Sequence, residues 1–227
     1  MSDHLIQAQR IHKSYSKGSS IIEVLHEVDF EVERGKTIAI MGESGVGKST
    51  FLQILGGLLR PTSGEVFFDG KSIFQRTDSQ IASYRNESIG FIFQFHYLLP
   101  EFTALENVTM PMRISGRDEK TFNDRAADLL TRIGLGHRMN HRPSELSGGE
   151  QQRVAIVRAL VNQPKVVLAD EPTGNLDTET ALYVSNLLLS MVKEHSMSLV
   201  IATHSEQLAA KADRIYRLKS GKLGVAV

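Results

Sequence analysis

The sequence feature that most constrains the fold is the glycine-rich segment GESGVGKS at residues 42–49, which fits the pattern G-x-x-x-x-G-K-[ST]. It follows TIAIM at 37–41, a short apolar run that predicts a strand, and it leads into residues 48–57, which predict a helix. Glycines adopt backbone conformations closed to other residues, and the N-terminus of a helix attracts anions. The segment therefore predicts a loop that binds nucleotide phosphates, and the flanking strand and helix argue against a chance glycine-rich turn.

Each residue type in this loop suits a phosphate ligand. The glycines allow successive N–H groups to approach phosphate oxygens, the lysine contacts the β- and γ-phosphates, and the serine is a ligand for Mg²⁺. The predicted nucleotide-binding residues of the loop are Gly42, Glu43, Ser44, Gly45, Val46, Gly47, Lys48, Ser49 and Thr50.

The composition limits the possible partners. The chain has 227 residues, enough for one sizeable core with a smaller appendage. Lys plus Arg equals Asp plus Glu at 26 each, so no net positive field indicates nucleic acid as the main partner. There is no cysteine, and no apolar run approaches the roughly 20 residues that span a bilayer. Action on a membrane would therefore require another chain to supply the membrane part.

Strands and helices alternate along the sequence. The β-branched residues 21–33 predict paired strands at the start of the fold. Further strands are predicted at Glu65–Phe68, Ile89–Phe93, Lys165–Ala169, Leu199–Ala202 and Asp213–Leu218. Helices are predicted over 103–114, 118–133, 148–162 and 178–194. This alternation predicts an α/β fold with a parallel sheet covered on both faces.

The nearly strandless stretch from about 95 to 160 predicts a helical subdomain inserted into this fold. Residues 1–94 and 161–227 would then form the α/β core, and the whole chain would be a single domain.

An acidic pair follows one predicted strand. In KVVLADEP, residues 165–172, Asp170 and Glu171 come at the carboxyl end of the strand, where open α/β sheets bind ligands. Successive strand side chains point to opposite faces, so the two carboxylates have different roles. Asp170 suits the Mg²⁺ shell, and Glu171 suits orienting and deprotonating an attacking water. The alternative interpretation is a solvated turn, and the preceding apolar strand argues against it.

A second glycine motif precedes another predicted helix, in SELSGGEQQRVAIVRAL at residues 144–160. Ser147 suits the N-cap, Glu150 completes a capping box, and Gly148 and Gly149 expose N–H donors. Capping chemistry alone favours a plain, well-capped helix. However, LSGGEQQ, placed between the phosphate loop and the acidic strand end, resembles the signature of the ATP-binding-cassette family.

This resemblance covers essentially the whole chain and assigns roles to four further segments. Gln94 resembles the glutamine that contacts Mg²⁺ and water, and residues 174–177 resemble the loop that crosses the dimer interface. His204 resembles the histidine that holds the γ-phosphate and the attacking water, and Tyr15 resembles the aromatic that stacks on adenine. Taken alone, each of these side chains could equally be an ordinary core or surface residue.

The family resemblance also implies an architecture and a mechanism. It implies a RecA-like parallel-sheet core, an N-terminal antiparallel β subdomain and a helical subdomain that carries the signature. It implies a homodimer in which one protomer binds ATP and the other completes the site. The residues implied to act in trans are Ser147, Gly148, Gly149, Glu150 and Asp177. The implied Mg²⁺ ligands are Ser49, Gln94 and Asp170, and the implied catalytic residues are Glu171, His204 and Gln94.

Two longer runs, residues 91–111 and 141–177, resemble the ATP-hydrolysing cassettes of lipoprotein-releasing systems. That group also includes macrolide-exporter and cell-division cassettes, which remain alternatives. The resemblance implies a translocating ATPase that powers lipoprotein release through LolC/LolE-like permease subunits. It implies a peripheral location on the cytoplasmic face of the bacterial inner membrane, with membrane contact only through those partners.

The first of these runs is rich in apolar side chains, namely Phe95, Tyr97, Leu98, Leu99 and Phe102. The resemblance implies that this region receives the coupling helices of the permease. Ordinary core packing is an equally weighted alternative, because apolar side chains are more often inside than outside.

Other classes of protein explain less of the sequence. Chromosome-maintenance and DNA-repair ATPases place a long coiled coil between these motifs, and no extended heptads separate them here. Translation-associated cassette proteins carry two cassettes, whereas each motif occurs once in this chain. A kinase or GTPase would leave LSGGE without a role. His137 and His141 have the spacing of metal ligands, but no nearby carboxylate or thiolate completes a zinc site.

Overall fold

The computed structural model describes residues 4–18, 20–116 and 119–226, which form two compact units. Unit 1 comprises Met1–Arg85, Leu168–Asp170 and Ser198–Val227, within the described ranges. Unit 2 comprises Asn86–Val167 and Glu171–Met197, again within the described ranges.

The order of elements alternates strands and helices, as the sequence predicts. The strands are β1 (His4–Lys17), β2 (Ser20–Glu33), β3 (Thr37–Met41), β4 (Ser63–Phe68), β5 (Lys71–Ser72), β6 (Ile89–Ile92), β7 (Val166–Asp170), β8 (Ser198–Thr203), β9 (Arg214–Lys219) and β10 (Lys222–Val225). The helices are α1 (Lys48–Leu55), α2 (Asp78–Ser88), α3 (Ala104–Ile114), α4 (Glu119–Arg132), α5 (Gly148–Leu160), α6 (Thr178–Glu194) and α7 (Glu206–Ala209). Short 3-10 turns occur at Gly136–Arg138 and Pro143–Glu145. Within the described ranges, no helix is long and apolar enough to cross a bilayer.

The N-terminal part of unit 1 is an antiparallel sheet with the order β2-β1-β4-β5. The prediction of paired strands within residues 21–33 is wrong in detail, because this segment forms most of the single strand β2. Its partner is β1, with Tyr15 opposite Ile22 and Ala8 opposite Phe30. The mostly polar sequence of β1 gives too weak an alternation to predict a strand, and its pairing with β2 supplies the missing hydrogen bonds.

A second sheet, built on parallel strands, forms the centre of unit 1. Its strands there follow the order β10-β9-β3-β8-β7, and β3 pairs in parallel with both β8 and β9. All six residues of β8 and four of the five residues of β3 are buried, as expected for parallel strands covered on both faces. The predicted α/β class is therefore confirmed.

Unit 2 contains most of the helices. Helices α3, α5 and α6 match the predicted segments closely, and the predicted helix over 118–133 begins at a residue outside the described part of the chain. The unit also holds β6, which lies beside β7, whose first two residues belong to the same unit. The helix-rich stretch 95–160 lies inside unit 2. Its proposed boundaries as a separate subdomain stay a prediction.

Helix α3 begins with a buried polar anchor. The side chain of Asn107 is fully buried, and its Oδ1 accepts a hydrogen bond from the Leu99 N–H at 2.7 Å. Its Nδ2 lies 3.0–3.1 Å from the carbonyl oxygens of Leu99, Phe102 and Thr103. The buried amide is thus fully hydrogen-bonded, and one side chain ties together the backbone of the irregular segment that precedes the helix.

We predict that Asn107→Ala destabilises the protein strongly. It removes the side-chain partners of the Leu99 N–H and the Phe102 carbonyl, each worth about 1–3 kcal/mol when left unpaired, so the free energy of unfolding falls by about 2–4 kcal/mol. Urea denaturation measures this loss. Asn140→Ala, at an exposed asparagine of the same unit, should change stability by no more than about 0.5 kcal/mol. Equal effects of the two substitutions would contradict the anchoring role.

Candidate functional site

The glycine-rich loop of unit 1 has the geometry that its sequence predicts. It joins β3 to α1, and Gly45 and Gly47 have φ angles of 77° and 111°, in the left-handed region that favours glycine. Gly47 is also in close contact with β2, since a Cβ atom there would lie 2.8 Å from Cγ1 of Val24. Any other residue at position 47 would therefore be both strained and crowded.

Lys48 begins α1 and is 6% exposed. Its ammonium donates hydrogen bonds to the carbonyl oxygens of Gly42 at 2.8 Å and Glu43 at 3.0 Å. Gly47 is the N-cap of α1, and among the described residues no side chain forms a capping hydrogen bond there. The first turn of α1 contains no acidic residue. The first N–H groups of a helix lack partners within the helix, so this end of α1 presents donors and a cation to an anion.

One more predicted residue, His204, follows a strand of the parallel sheet beside this loop. Met41 pairs with Thr203 across β3 and β8, so Gly42 and His204, which follow them, leave the same edge of the sheet. His204 is exposed, and the Ser205 N–H behind it donates to Oγ1 of Thr203 at 3.0 Å. Open α/β sheets bind ligands at this edge.

Asp170 is the last residue of β7, the strand beside β8, and its side chain is half-buried. In unit 1, three neighbouring strands therefore end at predicted site residues. Strand β3 is followed by the glycine-rich loop, β8 is followed by His204, and β7 ends at Asp170.

A cavity of about 440 Å³ borders the glycine-rich loop. It is lined by Gly42, Glu43, Ser44, Gly45 and Val46 and by Arg217, Leu218, Lys219 and Ser220. No sequence pattern indicates the two basic residues of the second group. Arg217 is opposite Met41 because β9 pairs in parallel with β3, and the order of strands in a sheet is not readable from one sequence.

Tyr15 lies on β1 and is 40% exposed. The ammonium of Lys13 lies 4.9 Å from the centre of its ring. An exposed aromatic face is what stacking on an adenine ring needs. That role stays a prediction.

The signature segment lies in unit 2, and its predicted capping box is confirmed. The Oγ of Ser147 accepts from the Glu150 N–H at 3.3 Å, and a carboxylate oxygen of Glu150 accepts from the Ser147 N–H at 2.8 Å. This backbone N–H is the main reason that the pKa of Glu150 is lowered. The reciprocal bonds fix the start of α5.

One glycine of the signature, Gly149, also has a packing role. A Cβ atom on Gly149 would lie 2.6 Å from Cγ2 of Thr180, so the start of α5 can approach α6 only because this residue is glycine. Asp177 caps α6, with its Oδ1 accepting from the Thr180 N–H at 3.0 Å. The side-chain hydrogen bond with Thr180 lowers the pKa of Asp177.

Gln94 and the segment after the acidic strand end are joined by two hydrogen bonds within unit 2. Nε2 of Gln94 donates to Oδ1 of Asn175 at 3.3 Å, and Nδ2 of Asn175 donates to the Gln94 carbonyl at 3.0 Å. The second bond leaves Oδ1 of Asn175 facing the amide nitrogen of Gln94. Oε1 of Gln94 is therefore the atom that remains available to a cation.

Glu171 has a strained backbone. Its φ angle is 44°, and it precedes Pro172, whose ring restricts the residue before it to extended conformations. Such a conformation costs on the order of 1–3 kcal/mol and persists only where neighbouring contacts hold it. One of these contacts is the Gly174 N–H, which donates to the Glu171 carbonyl at 3.0 Å.

The predicted residues therefore fall into two sets. Unit 1 carries Tyr15, the whole glycine-rich loop, Asp170 and His204. Unit 2 carries Gln94, Ser147–Glu150, Glu171 and Asp177, and within it Gln94 meets Asn175 while the signature glycines meet the segment around Thr180.

Comparison with known proteins agrees with this geometry. Residues 25–174 match the family described as ABC transporter. The chain is 51% identical over 225 residues to the lipoprotein-releasing system ATP-binding protein LolD of Shewanella oneidensis, covering 99% of this chain and 98% of that protein. It is 49% identical over 219 residues to the LolD of Syntrophus aciditrophicus, covering 96% and 98%.

Solved structures give the same result. The dimeric structure of MJ0796, a bacterial ABC transporter cassette, is 40% identical with a TM-score of 0.89, covering 96% of each chain. A dimeric post-hydrolysis state of MJ0796 bound to ADP and Pi is 38% identical, with the same TM-score and coverage. With the family match over more than half of its length and relatives at about 50% identity, the chain belongs to the ABC transporter family, as an ATP-binding subunit.

Proposed function

We propose that this protein hydrolyses ATP to power the release of lipoproteins from a bacterial inner membrane through partner transmembrane subunits. The observation that supports ATP binding and hydrolysis is the structure at the start of α1. There the glycine-rich loop, an uncapped helix N-terminus and the buried Lys48 adjoin one another. Lipoprotein release rests on the relatives, which are ATP-binding proteins of lipoprotein-releasing systems.

The side chains proposed to hold Mg²⁺ supply oxygen atoms, which this hard cation prefers. They are the hydroxyl of Ser49, the carboxylate of Asp170 and Oε1 of Gln94. Among the described residues no group of three His, Cys, Asp or Glu side chains could hold a metal alone. This fits Mg²⁺, which uses one or two carboxylates together with nucleotide phosphates and, when bound, neutralises developing negative charge on them.

The catalytic roles follow from the chemistry of phosphoryl transfer. Lys48 and the loop N–H groups bind the phosphates, and Glu171 orients and deprotonates the attacking water. His204, exposed at the sheet edge, holds the γ-phosphate and that water. Tyr15 stacks on the adenine.

The proposed active form is a homodimer with ATP at the interface. The MJ0796 cassettes similar to this chain are dimeric, and one of them holds ADP and Pi. The capped start of α5 presents Ser147 and the glycine N–H groups to an anion. In the dimer, Ser147, Gly148, Gly149, Glu150 and Asp177 would complete the site of the other protomer. ATP would then hold the two chains together until hydrolysis.

The proposed membrane partners are permease subunits of the LolC/LolE kind, with the cassette bound at the cytoplasmic face of the inner membrane. Phe95, Tyr97 and Leu99 are 62%, 64% and 41% exposed, so these three apolar side chains do not form core. Exposed apolar residues close together favour a protein interface. The balanced charge of the chain gives no reason to propose nucleic acid as a partner.

We predict that Lys48→Ala strongly weakens ATP binding. A charged hydrogen bond to phosphate is worth about 1.5–3 kcal/mol, so its loss weakens binding by about 10- to 100-fold. Titration with a fluorescent ATP analogue measures the affinity, and Lys71→Ala, at an exposed lysine of unit 1, is the control. Unchanged affinity in Lys48→Ala would reject the phosphate-binding assignment.

We predict that Glu171→Gln keeps ATP binding but slows hydrolysis by about 10²–10⁴-fold, the usual contribution of a general base. ATP then stays bound and the closed dimer accumulates. Asp170→Asn should instead weaken Mg²⁺-dependent nucleotide binding. Size-exclusion chromatography with ATP should show a stable dimer for Glu171→Gln and far less dimer for Asp170→Asn. Identical behaviour of the two variants would show that the carboxylates do not divide these roles.

We predict that Ser147→Arg blocks hydrolysis while leaving ATP binding nearly intact, because it places bulk and charge in the partner's site. Mixing Ser147→Arg protomers with Lys48→Ala protomers produces dimers in which one site carries both defects and the other carries neither. ATPase activity should therefore return on mixing, provided that one intact site suffices. If single-site turnover is shown separately and the mixture stays inactive, the shared-site arrangement is wrong.

A further inference from the structure

Gln152 is a fully buried polar side chain that the mechanism above does not use. It lies on α5, two residues after Glu150, and is 1% exposed. Its Nε2 donates to the carbonyl oxygen of Pro172 at 2.6 Å, and its Oε1 lies 2.5 Å from Nδ1 of His96. Both ends of this buried amide are thus hydrogen-bonded, as buried polar groups normally are.

The chemistry of the partners fixes the orientation of this glutamine. The carbonyl oxygen of Pro172 can only accept, so the amide nitrogen of Gln152 faces it. The amide oxygen of Gln152 therefore faces His96, and Nδ1 of His96 must carry a hydrogen. The link from Pro172 to His96 is a directed chain of two hydrogen bonds.

His96 is itself held in place. The guanidinium of Arg158, six residues further along α5, donates from Nη2 to the His96 carbonyl and from Nη1 to the Tyr97 carbonyl, both at 2.7 Å. Burial lowers the pKa of Arg158. Two side chains of α5, Gln152 and Arg158, thus hydrogen-bond to the segment after Gln94.

The hydrogen bonds of Gln152 are significant because one of them is made with Pro172, next to Glu171. Pro172 directly follows Glu171, whose left-handed backbone before a proline is strained. A strained conformation persists only where surrounding contacts determine it, and the hydrogen bond from Gln152 holds the carbonyl of the residue that follows Glu171.

We propose that Gln152 is a positioning residue for Glu171, and that His96 in turn orients Gln152. This inference rests on the proposed role of Glu171 as general base. The same chain connects the base to the exposed aromatic segment at Phe95 and Tyr97, because His96 lies between these two residues. A permease docked on that segment would act on the base through His96 and Gln152.

The first test is Gln152→Met, which keeps the length of the side chain and removes both hydrogen bonds. Misplacing a catalytic group by about 1 Å costs on the order of 10²-fold in rate, so kcat for ATP hydrolysis should fall by about that factor. KM for ATP should stay close to that of the unaltered protein, and the melting temperature should fall by only a few degrees, so that the variant stays folded in the assay. A wild-type kcat would overturn the proposal, and so would a fall explained by lost folding or lost ATP binding.

The second test is a double-mutant cycle with Glu171→Gln, read by single-turnover hydrolysis. If Gln152 acts through Glu171, adding Gln152→Met to Glu171→Gln should slow the remaining reaction by less than about twofold. A loss of the same size in both backgrounds would overturn the proposal. Gln151→Met is the matched control, since Gln151 donates instead to the carbonyls of Pro143 and Leu146. Any loss it causes should be equal in the two backgrounds.

A pair of His96 variants keeps the proposal testable if Gln152→Met folds poorly. His96→Asn retains a side-chain N–H near the position of Nδ1, whereas His96→Leu does not. Hydrolysis should be slowed in His96→Leu and largely retained in His96→Asn, and equal rates in the two variants would overturn the inference. A wild-type rate in Glu171→Gln alone would instead reject the proposed base, independently of Gln152.

Discussion

The parallel pairing of β3 with β8 and β9 is the constraint on which unit 1 depends. It aligns Met41 with Thr203 on one side and with Arg217 on the other, so three connections leave the sheet at one edge. Burial of both faces of these strands makes the register costly to change, since a shift by one residue would turn apolar side chains toward the opposite face. This pairing determines where the glycine-rich loop lies.

Unit 2 relies on buried polar side chains that bind backbone groups. Asn107 anchors the segment before α3, while Gln152 and Arg158 hold the segments after Glu171 and Gln94 from one helix. Each bond satisfies a backbone carbonyl or N–H that is buried or partly buried, where an unpaired polar group costs free energy. Apolar packing alone would allow these irregular segments several arrangements, whereas directed hydrogen bonds allow few. Residues near the proposed chemistry are thus held by α5 itself.

Local patterns predicted much of the site. The phosphate loop, the capped signature helix and the acidic strand end were found because each combines a few residue types with an adjacent strand or helix. Segments with weak patterns were missed: β1 and α2 are largely polar, and β10 is four residues long. The two readings of the segment around Phe95 could not be separated, because exposure depends on what packs against a side chain.

The sequence by itself determined the class of ligand, since glycines, a lysine and a helix start in fixed order can bind phosphate wherever the chain places them. Only the tertiary structure decided that Gln152 links His96 to Pro172, that Arg217 lies beside the phosphate loop and that Phe95 is exposed. The physical reason is distance along the chain. Partners far apart in sequence meet only after strand order and helix packing are fixed, and no local pattern encodes those.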